Sequence, residues 1–171
     1  RSKVLHIASS NVTADQIAEA ATSSEERKTV SFCGTQIEWS LLVRGVEKKV
    51  VPAARQHGLG IVPYFPLASG MLTGKYRKGE PFPPGSRLAS ASYFAGIATD
   101  ENFDYVEALT DFAQARGHSL LELAVAWLAA QTGVASVIAG ATTAEQVRDN
   151  ARAAAWQLTA DDLAQLPARP S

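Results

Sequence analysis

The sequence predicts an α/β protein of parallel strand–helix units, and three observations carry that reading. Four short apolar runs, at residues 4–8, 30–37, 59–65 and 134–139, alternate with segments of helical pattern. The order is strand, helix, strand, helix, strand, loop, helix, helix, strand, helix, helix, which is the signature of parallel β-α units. No Gly-x-Gly-x-x-Gly fingerprint follows any strand, which weakens an open dinucleotide-binding sheet. Four such units are half of the eight that close a parallel barrel. An open doubly wound sheet and part of a barrel are the two architectures this pattern allows. Both bind ligands at the C-terminal ends of the strands.

Each element has its own local warrant. Residues 4–8 (VLHIA) read as a short buried strand, Ser9-Ser10-Asn11 as a turn, and Thr13-Ala14-Asp15-Gln16 as a capping box opening a helix to about residue 21. Residues 30–37 form the second strand. A helix over 46–57 stops at Gly58, with Pro52 marking a kink or the place where a first turn gives way to the helix proper. Residues 59–65 are the third strand, and the Pro- and Gly-rich stretch 79–96 is a loop too long to be a mere connector. Phe103, Val106, Leu109, Phe112 and Ala113 recur at helical spacing over 101–116. Ser119 to Glu122 is a second capping box, before a helix over 120–131 that is apolar nearly all round. After the fourth strand, Thr143 to Gln146 reads as a third box, before a helix to about residue 156. Thr159 starts a last short helix that Pro167 closes.

Composition bounds the partners. The chain has 171 residues, 46% hydrophobic and 19% charged, with a formal net charge of −1. That is one domain's worth of core, and the balanced charge argues against nucleic acid and anionic membrane surfaces. The single cysteine, Cys33, rules out an internal disulfide and makes a reducing, cytoplasmic setting the expectation. No run of about 18 apolar residues and no signal-peptide pattern is seen. The chain enters an apolar run directly after Arg1-Ser2-Lys3, an opening expected where the natural start lies elsewhere.

The richest stretch is residues 63–76, PYFPLASGMLTGKY, directly behind the third strand. A Gly-, Ser- and Thr-rich loop holding one Lys gathers main-chain N–H groups and a cation at a strand's C-terminal end, which suits a phosphate-bearing ligand. Tyr64 offers a flat ring for stacking. Asn11 and Gln36, at the ends of the first two strands, can hydrogen-bond a planar carboxamide, although Ser10 and Asn11 also fit a plain turn. Behind Gly140, Ala141 and Thr142, the N-terminus of the helix carrying Gln146 is a ready anion site. Lys75 and Arg87 flank the long loop and would clamp an anion. Glu122 and Trp127 read as capping and packing, and His57 and His118 as exposed residues beside helix-ending glycines. The visible residues hold no nucleophile–base pair, no metal-ligand cluster and no paired carboxylates at useful spacing.

These residues resemble the C-terminal half of the aldo-keto reductase family. The resemblance rests on SSNV at 9–12, TQIEWSLL at 35–42, the 63–76 loop, Ser86-Arg87, and VIAGAT at 137–142 with EQVRDN at 145–150. It spans nearly the whole chain. The PLASGxLTGKY loop and the GAT ending are most similar to the branch holding bacterial reductases and potassium-channel β-subunits. The resemblance implies a (β/α)8 barrel of the TIM type, here about half a barrel, spanning residues 1–171 and binding NADP(H) without a Rossmann domain. It implies that Ser10, Asn11 and Gln36 hold the nicotinamide carboxamide and that Tyr64 stacks on the nicotinamide ring. The backbone of Pro66, Leu67, Ala68 and Gly70, with Lys75 and Arg87, would cover the phosphates. Gly140, Thr142 and Gln146 would meet the 2′-phosphate region, and Asp149 and Asn150 the adenine.

Two departures stand out. Many family members carry Lys-Ser where this chain has Gly140-Ala141, and an Arg where it has Gln146, which lowers charge complementarity for NADP over NAD. The family's catalytic Asp, Tyr, Lys and His belong to an N-terminal half that this chain is expected to lack. Tyr64, Lys75 and His6 do not stand where that tetrad stands. The implied function is NADP(H)-dependent reduction of small aldehydes and ketones, with this chain as the cofactor-binding half, inactive alone. An NADP(H)-binding regulatory protein and a remnant half-barrel are the alternatives. Residues 77–98 are expected to line one side of the substrate entrance. An open half-barrel would leave two strand edges and an apolar inner face, so pairing with the missing half or self-association into a dimer is expected.

Overall fold

The computed structural model describes residues 3–90 and 96–169. Three parallel strands, β1 (Ala8–Ser10), β2 (Gly34–Glu38) and β3 (Gly60–Tyr64), lie side by side in that order. The register sets Ser10 beside Gln36 and Gln36 beside Val62, and one step further along Glu38 beside Tyr64. The expected fourth strand is present only in part. Residues 134–138 run parallel to β3 through isolated bridges at Val134 and Ile138, not a continuous ladder. Ile61 N–H donates to the Gly133 carbonyl at 2.8 Å, and Ile138 N–H donates to the Pro63 carbonyl at 2.9 Å. Pro63 has no N–H to return between them, so the ladder breaks there. The expected four-strand half-barrel is therefore a three-stranded parallel sheet with an irregular fourth segment alongside.

The strands also begin later than apolarity alone predicts. Val4, Leu5 and Val30 are 65%, 78% and 69% exposed and precede the ladder. The strands proper are built from small and polar residues, Ala-Ser-Ser and Gly-Thr-Gln, because those are the positions with a paired neighbour.

Alternation divides the sheet's two faces. Ser9, Thr35, Ile37, Ile61 and Pro63 are buried on one side. The other face carries Ser10, Gln36, Glu38 and Tyr64 toward the strand C-termini, with Ala8, Gly34 and Gly60 in register at its base. A Cβ added at Gly34 would come within 2.9 Å of the Gly60 carbonyl oxygen, and one at Gly60 within 3.1 Å of the Ala135 Cβ. Val62 lies on this face too, so it mixes small and polar positions with apolar ones. Among the described residues, Val4, Leu5, Ile7, Val30, Ile138 and Val147 are the exposed large apolar side chains, the first four on or before the strand segments and Ile138 in the segment bridged to β3.

Helix α1 (Ala14–Arg27) opens with the predicted reciprocal box: Gln16 N–H donates to Thr13 Oγ1 at 3.2 Å and Thr13 N–H donates to Gln16 Oε1 at 2.9 Å. It runs six residues past the expected end, to a left-handed cap at Lys28, through a polar second half that carries no apolar stripe for the sequence reading to follow. The 46–57 segment divides into a 3₁₀ turn, Gly45–Lys48, and α2 (Val50–Gln56). Pro52 falls in the first turn of α2, where a missing N–H breaks no helical bond. The long loop contains a short helix, α3 (Arg87–Ser90). Part of the expected substrate-entrance segment, residues 91–95, lies outside the described residues.

The core sits between α4 (Asp100–Gln114), α5 (Leu120–Ala129) and the sheet. Val106, Leu109, Phe112 and Ala113 of α4 and residues 123–128 of α5 are buried, and the Trp39 and Trp127 rings meet edge to face at 5.7 Å. Burial of such side chains is worth about 1.5–3 kcal/mol each. His118 is not the exposed residue the sequence suggested: its ring stacks flat on Trp156 at 3.9 Å. Helices α6 (Ala144–Ala153) and α7 (Ala160–Gln165) complete the chain, the latter ended by Leu166, held extended ahead of Pro167. Among the described residues no helix is long and apolar enough to cross a membrane.

Candidate functional site

A cleft of about 450 Å³ opens at the C-terminal end of β3, between the 65–75 loop, α3 and the N-terminus of α6. Most of the predicted site residues meet here, from four separate elements. Tyr64, Pro66, Leu67, Gly70 and Lys75 come from β3 and its loop, and Arg87 from α3. Gly140, Thr142, Gln146, Asp149 and Asn150 come from the approach to α6 and its first turns. Ser10, Asn11, Gln36 and Ala68 do not line it. Ala68 is buried beneath the loop, while Ser10 and Gln36 lie on the open face of the sheet. Asn11 is nonetheless tied to the cleft, because the Tyr64 hydroxyl donates to its Oδ1 at 2.9 Å.

The loop holds its shape through backbone conformations that most residues avoid. Phe65, Ala68 and Ser69 all have positive φ, at 51°, 45° and 58°, and Gly70 follows at 95°. Non-glycine residues in this region are uncommon and concentrate at functional turns. The turn is locked by Thr73 Oγ1 donating to the Gly70 carbonyl at 2.8 Å and by Tyr76, buried beneath it, donating to the Ser69 carbonyl at 3.5 Å. Gly70 is required twice over, since a Cβ there would lie 2.9 Å from Lys75 Cε. Lys75 packs over Gly70 with its ammonium 5.0 Å from the Tyr76 ring, and the Arg87 guanidinium stands 5.4 Å over Phe65. Two cations thus border one concave turn.

At the α6 end the third predicted capping box is only half formed. Thr143 caps the Gln146 N–H at 3.2 Å, but the Gln146 side chain does not return to Thr143. Its Oε1 accepts from the Thr142 N–H at 2.7 Å and the Thr142 hydroxyl at 3.1 Å. The amide is drawn into the cleft lining and its Nε2 remains as a donor. Phe65, Ser69, Thr73 and Ser86 also line the cleft. As single residues they carried no chemical signal; the positive-φ turn that aims two of them is a tertiary property.

The family model described as "Aldo/keto reductase family" matches residues 2–168. The chain belongs to the aldo/keto reductase family. This aldo/keto reductase chain is 37% identical over 145 residues to a "Probable voltage-gated potassium channel subunit beta" of Arabidopsis thaliana, covering 82% of the chain and 44% of that protein. It is 32% identical over 164 residues to the "Uncharacterized oxidoreductase YrpG" of Bacillus subtilis, covering 96% and 48%. It is 35% identical over 124 residues to the "L-glyceraldehyde 3-phosphate reductase" of Escherichia coli, covering 69% and 35%. The chain spans less than half the length of these curated relatives.

Proposed function

We propose that this chain is the cofactor-binding, C-terminal half of an NADP(H)-dependent reductase of aldehydes and ketones. One observation carries the reading: a single cleft gathers Lys75, Arg87, the Gly70 turn and the α6 N-terminus, with Tyr64 at its mouth. The residues fit a phosphorylated dinucleotide. The concave turn lacks a Cβ where the chain must come close, two cations face it, and free helix N–H groups and the Gln146 amide stand opposite.

When bound, the nicotinamide supplies a hydride to the carbonyl carbon. The chain's own residues bind and orient. Lys75 and Arg87 neutralise phosphate charge, and the α6 N-terminus takes the adenosine end. Tyr64 presents its ring beside Gln36 and Asn11, which offer the amide donors and acceptors that a carboxamide needs. The proton for the carbonyl oxygen would come from the part of the relatives' length that this chain does not span. We assign the protein to the cytoplasm, in keeping with the exposed free thiol of Cys33.

Calorimetric titration with NADPH and NADH tests the reading, with nicotinamide emission followed in parallel. Saturable NADPH binding with enhanced, blue-shifted emission is expected, without NADPH consumption on adding 4-nitrobenzaldehyde. Absence of binding by either nucleotide overturns it. Similarity to the Arabidopsis channel subunit favours a second reading, a protein that binds NADP(H) for regulation. Supplying the N-terminal half of a relative separates the two, since only a reductase then turns over.

A further inference from the structure

A second cleft, of about 480 Å³, lies on the other side of the 65–69 turn, which lines both. Glu38 reaches it from the end of β2, in register with Tyr64, so this cleft sits next to the position assigned to the nicotinamide ring. Its other polar side chains are Arg44, Ser69, Asn102 and Arg169, set among Leu42, Phe65 and Ile97.

The two arginines differ. Arg44 is clamped by Glu47 through Nε–Oε1 at 2.7 Å and Nη2–Oε2 at 2.9 Å, and it stands 5.0 Å over the Trp127 ring. Trp39 Nε1 also donates to Glu47, at 2.9 Å. Burial works to raise the Glu47 carboxyl, but the hydrogen bonds from Arg44 and Trp39 outweigh it and hold it below its ordinary value. The pair is thus self-neutralised, and Arg44 also interacts with the Tyr105 hydroxyl. Arg169 adds a further, exposed cation whose field reaches both Glu47 and Tyr105. The Tyr105 hydroxyl is buried with no hydrogen-bond partner of ordinary geometry among the described residues. Asn102 donates one Nδ2 hydrogen to the Ile97 carbonyl at 2.8 Å, which leaves the other hydrogen and the side-chain oxygen for a ligand.

The cationic donors are Arg169 and Arg44, Glu38 is a carboxylate acceptor, and Asn102 and Ser69 can give or accept. We propose that this cleft receives the carbonyl substrate, and that the substrate is a short hydroxylated aldehyde or ketone carrying a terminal phosphate or carboxylate. Arg169, with Arg44 beside it, holds the anion, and Glu38 and Asn102 accept from hydroxyls. The carbonyl part rests on the reductase reading above; the anion part does not.

Because Trp39 and Trp127 flank the Arg44–Glu47 clamp, indole emission reports on this cleft without any nucleotide. The chain is titrated with inorganic phosphate, glyceraldehyde 3-phosphate, glyoxylate and neutral glyceraldehyde. The expected result is a saturable emission change with the anionic aldehydes, about tenfold weaker with glyceraldehyde. Arg169→Gln is expected to weaken the anionic probes about fivefold or more without shifting Tm, Arg169→Lys to restore part of the loss, and Lys75→Ala to leave the titration unchanged. The better of glyceraldehyde 3-phosphate and glyoxylate identifies the anion. Arg169→Gln titrating like the parent overturns the proposal. So do glyceraldehyde binding as tightly as the anions, loss of signal in Lys75→Ala, or no emission change with any probe. Failure of this test with NADPH binding intact removes the substrate class alone.

Discussion

The Tyr64 hydroxyl and the Asn11 side-chain oxygen, 53 residues apart in sequence, share a 2.9 Å hydrogen bond across the top of the sheet. Asn11 sits at φ 56° and its N–H donates to the Gln36 carbonyl at 3.0 Å, so all three strand ends are joined through one residue. With one lone pair of Oδ1 taken by the phenol, Asn11 keeps its Nδ2 donors and a second acceptor site for a ligand.

Tyr64→Phe keeps the ring and removes this bond. It is expected to cost about 1 kcal/mol in denaturant unfolding and to weaken NADPH severalfold by calorimetry. Asn11→Ala should cost more than Asn11→Gly, by about 1 kcal/mol, because alanine resists the left-handed backbone. Equal stability of those two variants would refute the strain argument.

Gly70→Ala places a methyl group at a positive φ and against Lys75. A loss of about 1–3 kcal/mol is expected from conformation and displacement together. The same variant should lower NADPH affinity more than Lys75→Ala does, because it deforms the turn as well as moving the cation. Thermal melts and titration on the same preparations decide this.

Gln146 accepts twice from Thr142 and brings no charge to the α6 N-terminus. NADPH is therefore expected to exceed NADH in affinity by less than about tenfold. Gln146→Arg should raise that ratio about tenfold, read as the two dissociation constants side by side. An unchanged ratio would place the 2′-phosphate elsewhere.

Asp162 supplies a pH test of the C-terminal packing. Hydrogen bonds from the Thr159 hydroxyl and amide, then from Arg116, hold its carboxyl down to about 2 from an ordinary 3.8. A depressed carboxyl contributes stability that is fully present above the unfolded value and is lost as pH falls through the folded one. The α7 cap and the 2.9 Å Arg116 bridge should therefore persist at pH 4 and fail between about 4 and 2. NMR titration of Asp162 checks the midpoint, which Arg116→Gln is expected to move upward.

Signals confined to a few neighbouring residues were legible in the sequence. The boxes at Thr13 and Ser119 form as read, and Thr159 starts its helix as read with a box of its own, because each needs only four consecutive residues. Gln146 departs because the amide and hydroxyl of Thr142, one residue before the cap, compete with the Thr143 amide for its side-chain oxygen. The strand positions were harder to read: Val4, Leu5 and Val30 looked like strand and are exposed, while Ala-Ser-Ser pairs. A parallel strand is defined by a neighbour remote in sequence, and short runs of small residues carry little period. The cleft lining was foreseeable as a set because the 63–76 loop and the α6 approach each carry phosphate-binding chemistry. The second cleft was not, because Arg44, Asn102 and Arg169 come from remote segments that converge only in the fold.

The base of the sheet has a consequence for its opposite end. Gly34, Gly60 and Ala135 nearly touch, so the strands behave like the ribs of a fan pinned at its narrow end. Gln36 and Glu38 stand two and four residues further along β2, with Val62 and Tyr64 beside them, about 7 and 13 Å from the pin. A single methyl group at Gly34 would spread the pinned ends and rotate the far ones. The distance between the amide of Gln36 and the ring of Tyr64 is in this sense governed by residues with no chemistry of their own.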